Sequence, residues 1–150
     1  IRDRLPVDGD AFEAWVVHLK SNYGGREAAE PIRLAEAVQL RKLIELRLRA
    51  NPEADFLVCG DFNDFADSPT LRTIVGDGSS GPVLRTLYDQ VPESDRVTYN
   101  REPYREMIDF ILCSPSMAER YVDGSYQILN GTLEQTGSDH NPVFCRFRKR

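Results

Sequence analysis

The sequence is short of lysine, histidine and cysteine, and it has no long apolar run. Its 150 residues include 3 Lys against 16 Arg, with 2 His, 3 Cys and 1 Trp. The 24 acidic residues outnumber the 19 basic ones, for a formal net charge of −5. That deficit of positive charge disfavours a broad nucleic-acid-binding surface, which needs a basic field. The excess of Arg over Lys supplies planar forks suited to phosphate, though a base-composition bias in the coding sequence yields the same excess. Cys59, Cys113 and Cys145 each sit in an apolar stretch (FLVCG, FILCS, VFCRF). An odd number of thiols at these spacings is no disulfide framework and no zinc motif, so they read as buried, inert thiols. No run approaches the ~18 apolar residues of a membrane-spanning helix. There is no internal repeat and no low-complexity segment. The first residue is Ile1, with no signal or targeting tract after it, and the chain reads as a piece of something longer.

What is present fits one domain. Hydrophobic residues make up 41% and charged residues 29%, too apolar for a disordered chain. A chain of this length buries roughly 68–70% of its unfolded surface, enough for a core. Phe12 to Lys20 (FEAWVVHLK) is apolar on both alternating faces and reads as a central strand covered on both sides. Pro31 to Ala50 reads as a long helix opening on a first-turn proline. Its stripe is Leu34, Ala37, Leu40, Ile44 and Leu48, with Arg41 lying oddly within it. Asp55 to Asn63 is a second buried strand. Ser68-Pro69 reads as a cap and first turn of a short helix through Val75. Gly76 to Pro82 is a loop. Further strands are expected at Arg96–Tyr99, Met107–Cys113, Ser125–Leu129 and Pro142–Arg148. The order of strands and helices indicates a mixed α+β layered domain.

Several polar residues stand where apolar strands meet loops. His18 and His140 are the only histidines. Asp61 and Asn63, in GDFND, have the i, i+2 spacing that points two side chains to one face of a strand. A carboxylate beside an amide binds a hard cation or orients water, and equally it makes an ordinary turn. Asp109 lies inside MIDFILC, where a buried carboxylate needs a partner. A histidine is one candidate, since a carboxylate on one ring nitrogen fixes the tautomer and leaves the other free; one of the many arginines is the other. Ser138-Asp139-His140-Asn141-Pro142 precedes the last strand. Phosphodiester cleavage needs parts of these kinds: a metal, a group that positions water and a group that stabilises the leaving oxygen.

The motifs VVHLKS, GDFND, IDFILCS and GSDHNPV, in this order, resemble the endonuclease/exonuclease/phosphatase superfamily, the deoxyribonuclease-like fold. They run from about Trp15 to Phe147, and VTY at Val97–Tyr99 also fits. The resemblance implies catalytic roles for His18, Asp61, Asn63, Asp109 and His140. His18 and His140 would meet the phosphate, Asp61 would orient the attacking water, and Asp109 would pair with His140. Metal ligation falls to Asp61, Asn63 and Asp139, with Mg²⁺ or Mn²⁺ as the expected ion. Substrate binding falls to Lys20, Asn63 and His140. The implied reaction is in-line attack of water on phosphorus.

The resemblance also implies a four-layer α/β/β/α sandwich, of which this chain would be half: one mixed, mainly antiparallel sheet with flanking helices. Members of that family carry an asparagine-bearing strand and then a glutamate metal ligand upstream of the HLKS motif. Only residues 1–17 precede His18 here, and Glu13 would project opposite to His18. Residues 1–150 are therefore expected to be the C-terminal portion of such a domain, with an open sheet face. A missing N-terminal half or a second copy of the chain would cover that face. Expected substrates are phosphate esters, whether nucleic acid, phospholipid or a small phosphoester. The rivals are a lipid or inositol phosphate phosphoesterase and a non-catalytic half-domain serving as an assembly module. Two loops, Tyr23–Arg26 and Arg101–Arg105 (REPYR), are candidate substrate-facing elements.

Overall fold

The computed structural model describes residues 1–7, 10–79 and 83–150. The last three residues of the expected loop Gly76–Pro82 lie outside the described ones. The chain runs β1 (Arg2–Val7), β2 (Asp10–His18), α1 (Arg26–Ala50), β3 (Phe56–Asp61), α2 (Pro69–Val75) and β4 (Arg85–Thr86). It continues through β5 (Tyr99–Arg101), β6 (Tyr104–Glu106), β7 (Asp109–Cys113) and α3 (Pro115–Ala118). The last elements are β8 (Gln127–Ile128), α4 (Leu133–Thr136) and β9 (Val143–Phe144). Five strands form a mixed sheet in the order β1-β2-β3-β7-β4, in which only β2 and β3 run parallel. The pairs β5–β6 and β8–β9 make two small ribbons. This is the expected α+β fold: a mixed, mainly antiparallel sheet with flanking helices.

The larger part of the core lies on one face of the sheet, and Cys113 with Tyr126 and Ile128 extends it onto the other. Trp15, Phe56, Val58, Phe110 and Leu112 meet Ala37, Leu40, Ile44 and Leu48 of α1 in a single cluster. Trp15 stacks on Phe56 with centroids 5.3 Å apart. The opposite face is covered less well. Val16 there is 48% exposed, so β2 is not covered on both sides as its sequence indicates. Its apolar second face belongs to the open side of the sheet. Strand β1, for which the sequence gives no signal, pairs along its whole length with β2 and makes the sheet edge.

Helix α1 begins at Arg26, and Pro31 lies inside it rather than in its first turn. Tertiary contacts hold the extra residues. Arg26 reaches Asp64 at 2.7 Å and lies over the Phe65 ring at 3.9 Å, and Ala29 is buried. Arg41 is explained by the next helix. Its guanidinium donates to the carbonyls of Ile74 (3.4 Å) and Val75 (3.0 Å) at the C-terminal end of α2, where helical carbonyls lack partners within the helix. Helix α2 starts as expected, with the Ser68 side chain accepting from the Leu71 N–H. The expected strand Arg96–Tyr99 starts later, at Tyr99, and folds back through the 101–104 turn to form the β5–β6 ribbon. Only two residues each of Ser125–Leu129 and Pro142–Arg148 pair as strands.

Candidate active site

Three candidate residues form one row across the sheet. His18 ends β2 directly opposite Asp61 of β3, and Asp61 is directly opposite Asp109 of β7. Residues opposite one another in adjacent strands share a face. The row therefore projects all three side chains to the open side, at the end of the strands. Gly60 makes the close approach possible. It adopts φ +133°, and a Cβ there would lie 2.1 Å from the Val17 carbonyl oxygen.

His140 completes the group from the loop before β9. Its Nδ1 lies 2.9 Å from Asp109 Oδ2. A carboxylate only accepts, so Nδ1 carries the proton and donates. The other ring nitrogen, Nε2, then faces Asp61 Oδ2 at 4.0 Å. His18 Nε2 approaches the same oxygen at 3.7 Å. One ligand atom each from Asp61, Asp109 and His140 lies within 4.8 Å of the others. Burial holds the Asp61 carboxyl above its ordinary pKa, and the neighbouring Asp109 adds to the rise, against the Asn63 N–H and the two histidines.

Asn63 sits beside this group at φ +52°, a left-handed conformation that asparagine tolerates. Its N–H donates to Asp61 Oδ1 at 2.8 Å, and one N–H of its carboxamide donates to the Leu19 carbonyl at 3.0 Å. Asp139 stands apart from the three-residue cluster; its carbonyl accepts the Asn100 N–H at 2.8 Å. Lys20 directs its ammonium to the Ser21 carbonyl at 3.1 Å.

A cleft of about 750 Å³ opens from this row. His18, Asp61, Asn63 and His140 form its floor, and Tyr99, Tyr23, Arg26, Tyr104 and Glu106 stand along it. Both loops singled out in the sequence thus contribute to its walls.

Other residues have positioning roles that a reading of the sequence does not assign, although Thr98, Tyr99 and Asn141 lie within its motifs. The hydroxyl of buried Thr98 accepts from the N–H groups of both Ile108 and Asp109, each at 2.9 Å, and so fixes the start of β7. Buried Asn141 donates to the Val97 carbonyl at 2.7 Å, and its own N–H donates to the Thr98 carbonyl at 2.7 Å. Tyr99 bridges to His140 and packs on its ring at 5.1 Å. The VTY segment thereby sets both members of the Asp109–His140 pair. Arg33 is fully buried and grips Asn22 Oδ1 at 2.7 Å, while Asn22 donates to the Asn63 carbonyl at 3.2 Å. These partners lie 10 to 44 residues apart in the chain, so only the order of the motifs hints at them.

The profile of the Endonuclease/Exonuclease/phosphatase family matches residues 1–140. The chain belongs to this family. Solved structures agree in fold. The human Nocturnin catalytic domain with bound sulfate anion superimposes with TM-score 0.69 at 21% identity, covering 99% of this chain and 52% of that one. An endonuclease/exonuclease/phosphatase from Bacteroides vulgatus gives TM-score 0.64 at 24% identity, with 95% and 51% covered. A mannosyl-6-phosphatase from Bacteroides thetaiotaomicron gives 0.62 at 22% identity, with 93% and 53% covered. The chain thus spans about half the length of these structures. No curated protein matches it significantly in sequence.

Proposed function

We propose that this chain is the C-terminal portion of a divalent-metal-dependent phosphoester hydrolase, and that it carries the phosphate-facing histidines. The observation that carries the reading is the convergence of His18, Asp61 and His140 on the floor of one cleft, with Asp109 bonded to His140 beside it. A fold without catalysis has little reason to put two carboxylates opposite each other on adjacent strands, since like charges there are destabilising.

The donors fit a hard divalent cation. Oxygen ligands dominate, and two carboxylates and an imidazole already stand within 4.8 Å of one another. Asp61 would hold Mg²⁺ or Mn²⁺ with Asn63 beside it, whereas Asp139, the other ligand the resemblance implies, stands outside this group. The ion would offset charge on a phosphoryl oxygen. Asp61 orients the attacking water through its carboxylate. Asp109 holds the proton of His140 on Nδ1 and leaves Nε2 to meet a phosphate oxygen. His18 stands on the other side of Asp61 and meets the same group. Lys20, two residues beyond His18, adds positive charge at the same strand end. Water attacks phosphorus in line with the departing oxygen.

The test is metal-dependent hydrolysis of bis(p-nitrophenyl) phosphate by the protein that contains this chain. Asp61→Ala and His140→Ala should each lower turnover by roughly 10²–10⁴-fold. Turnover within a factor of about two of the parent in either variant defeats the assignment.

A second reading has its own observation. Val16 and Leu5 are 48% and 40% exposed on the open side of the sheet. We infer that an N-terminal half-domain or a second copy of the chain covers this face. Sedimentation should show self-association of the isolated chain, or its capture by a separately expressed N-terminal piece. A stable monomer that binds neither rules this out.

A further inference from the structure

The paired part of β2 ends at His18, opposite Asp61. The peptide groups that follow lie beyond the ladder and need other partners. Leu19 still finds one in β3, since its N–H donates to the Asp61 carbonyl at 3.0 Å. The peptide group that joins Leu19 to Lys20 is held at both ends by side chains instead. Its carbonyl, on Leu19, accepts from Asn63 Nδ2 at 3.0 Å. Its N–H, on Lys20, donates to Glu36 Oε2 at 2.8 Å. Glu36 lies in α1, three residues after Arg33, whose Nη1 donates to the next carbonyl, that of Lys20, at 3.2 Å. Residues three apart share a helix face, so α1 grips both backbone polar groups of Lys20. Among the described residues Glu36 forms no ion pair, and the Lys20 N–H is the group its carboxylate bonds.

A peptide unit is planar, and in the trans form its C=O and N–H point in opposite directions. Glu36 and Asn63 therefore hold the two ends of one rigid plate, and turning the plate breaks both bonds. The bonds also reinforce each other. A carboxylate on the N–H polarises the amide and makes its carbonyl a stronger acceptor. At that end the partner fixes the carboxamide. A carbonyl accepts and does not donate, so it faces the nitrogen of Asn63 and not the oxygen. The backbone of Asn63 is tied as well: its N–H donates to Asp61 Oδ1 at 2.8 Å, and its carbonyl accepts from Asn22 Nδ2 at 3.2 Å. Oδ1 takes no hydrogen bond among the described residues, and Asn63 lines the cleft beside Asp61. The free acceptor is an oxygen, the atom a hard cation takes.

We propose that Glu36 is a positioning residue of this site, acting across the Leu19–Lys20 peptide group to hold the Asn63 carboxamide with its oxygen toward the cleft. Glu36 itself does not line the cleft. The proposal rests on the phosphoester hydrolase reading for what that oxygen meets.

The test compares Glu36→Ala, Glu36→Asp and Glu36→Gln in the protein that contains this chain. Alanine keeps the helix, being the strongest helix former. Aspartate keeps the charge but is a methylene too short to reach the Lys20 N–H. Glutamine loses the charge but keeps an acceptor at the same reach. Proton–nitrogen NMR of the metal-free protein reads both ends of the plate, as hydrogen exchange at the Lys20 amide and as the positions of the Asn63 Nδ2 protons. A hydrogen bond to a carboxylate corresponds to about tenfold or more in local opening. Exchange at Lys20 should quicken about tenfold or more in Glu36→Ala and Glu36→Asp, with the Asn63 Nδ2 protons displaced, and Glu36→Gln should stay within about threefold of the parent. Hydrolysis of bis(p-nitrophenyl) phosphate, measured where each variant is fully folded, should follow the same order, with kcat lower by about tenfold or more in the first two. Asn63 Nδ2 protons that stay in place, a Glu36→Gln variant that behaves like Glu36→Ala, a Glu36→Asp variant that behaves like the parent, or an unchanged kcat in Glu36→Ala overturns the proposal. The expected NMR changes in a protein without hydrolase activity uphold the coupling and remove the reading beneath it. Metal-dependent hydrolysis with Lys20 and Asn63 both indifferent to Glu36→Ala does the reverse.

Discussion

Replacing Arg33 by methionine tests how the fold holds the floor of the cleft. Arg33 lies in α1, fully buried, with Nε 3.3 Å from Asp64 and Nη1 donating to the Lys20 carbonyl (3.2 Å) and to Asn22 Oδ1 (2.7 Å). Asp64 is itself buried, and its second cation is Arg26 at 2.7 Å. Methionine fills part of the same space without a charge. Breaking a buried ion pair from one side costs roughly 3–5 kcal/mol, because the remaining charge stays buried. Two features pull toward the low end of that range. Arg26 still neutralises Asp64, and methionine removes the desolvation cost of a guanidinium whose Nη2 has no partner. The two acceptors left without a donor, worth about 1 kcal/mol each, keep the loss from falling below that end. The net expectation is a loss of about 3 kcal/mol. At about 2–4 °C per kcal/mol for a chain of this size, Tm falls by roughly 6–12 °C. Urea denaturation followed by circular dichroism measures the loss. Asp64→Asn and the double variant complete a cycle whose coupling should exceed about 1 kcal/mol. A loss below about 1 kcal/mol, or additive effects, would refute the claim that this buried pair organises the strand ends.

Three further outcomes follow from the same geometry. Gly60→Ala puts a methyl group 2.1 Å from the Val17 carbonyl at φ +133°; it should destabilise by about 3 kcal/mol or more, seen as a lowered urea midpoint, and a neutral effect would mean that β2 and β3 are not paired here. Asp109→Asn keeps the shape but offers His140 Nδ1 a donor, which drives the ring proton to Nε2. Nitrogen NMR should report the switched tautomer, and turnover should fall about 10²-fold or more, while an unchanged tautomer would place His140 elsewhere. Glu13 is held below its ordinary pKa. Burial opposes this, but hydrogen bonds from Arg47, Trp15 and Arg2 outweigh it. A depressed carboxylate pKa contributes stability above the unfolded value, and that stability is lost as pH falls through the folded one. Glu13→Gln should therefore cost about 1 kcal/mol near pH 7 and nothing measurable in acid below the folded pKa, and a difference that persists in acid would assign the loss to packing.

Legibility in the sequence followed the range of the forces involved. Strands β3 and β7 and helix α2 are plain because apolar runs and a Ser-Pro cap are local signals. Asp109 was also legible, since a carboxylate in MIDFILC demands a partner, and His140 lies 2.9 Å away. Strand β1 was not legible, because its described residues Arg2 to Leu5 are all exposed and its pairing with β2 is a long-range event. The first residues of α1 carry no apolar stripe; a salt bridge to Asp64, 38 residues on, keeps them helical. Arg33 and Arg41 look like solvated side chains on a stripe that ought to be apolar. Each is buried because an acceptor from a distant segment meets it, Asp64 in one case and the end of α2 in the other. The apolar second face of β2 misled in the opposite sense. A strand built to be covered on both sides reads the same whether or not its cover is present.

That last point bears on how the site and the fold depend on each other. Asp61 and Asp109 are cross-strand neighbours of like charge, and such a pair opposes the sheet that carries it. Asp109 is offset by His140, whose position rests on Thr98, Tyr99 and Asn141. Asp61 has no such protein partner: its nearest imidazoles stand at 3.7 and 4.0 Å, beyond hydrogen-bond length. The backbone N–H it accepts, from Asn63, requires a residue in the left-handed region. Local preference, pairing and charge all weigh against this arrangement at once. Such a conflict persists where a bound group offsets it, and the arrangement at Asp61 is what the proposed cation and phosphate would offset.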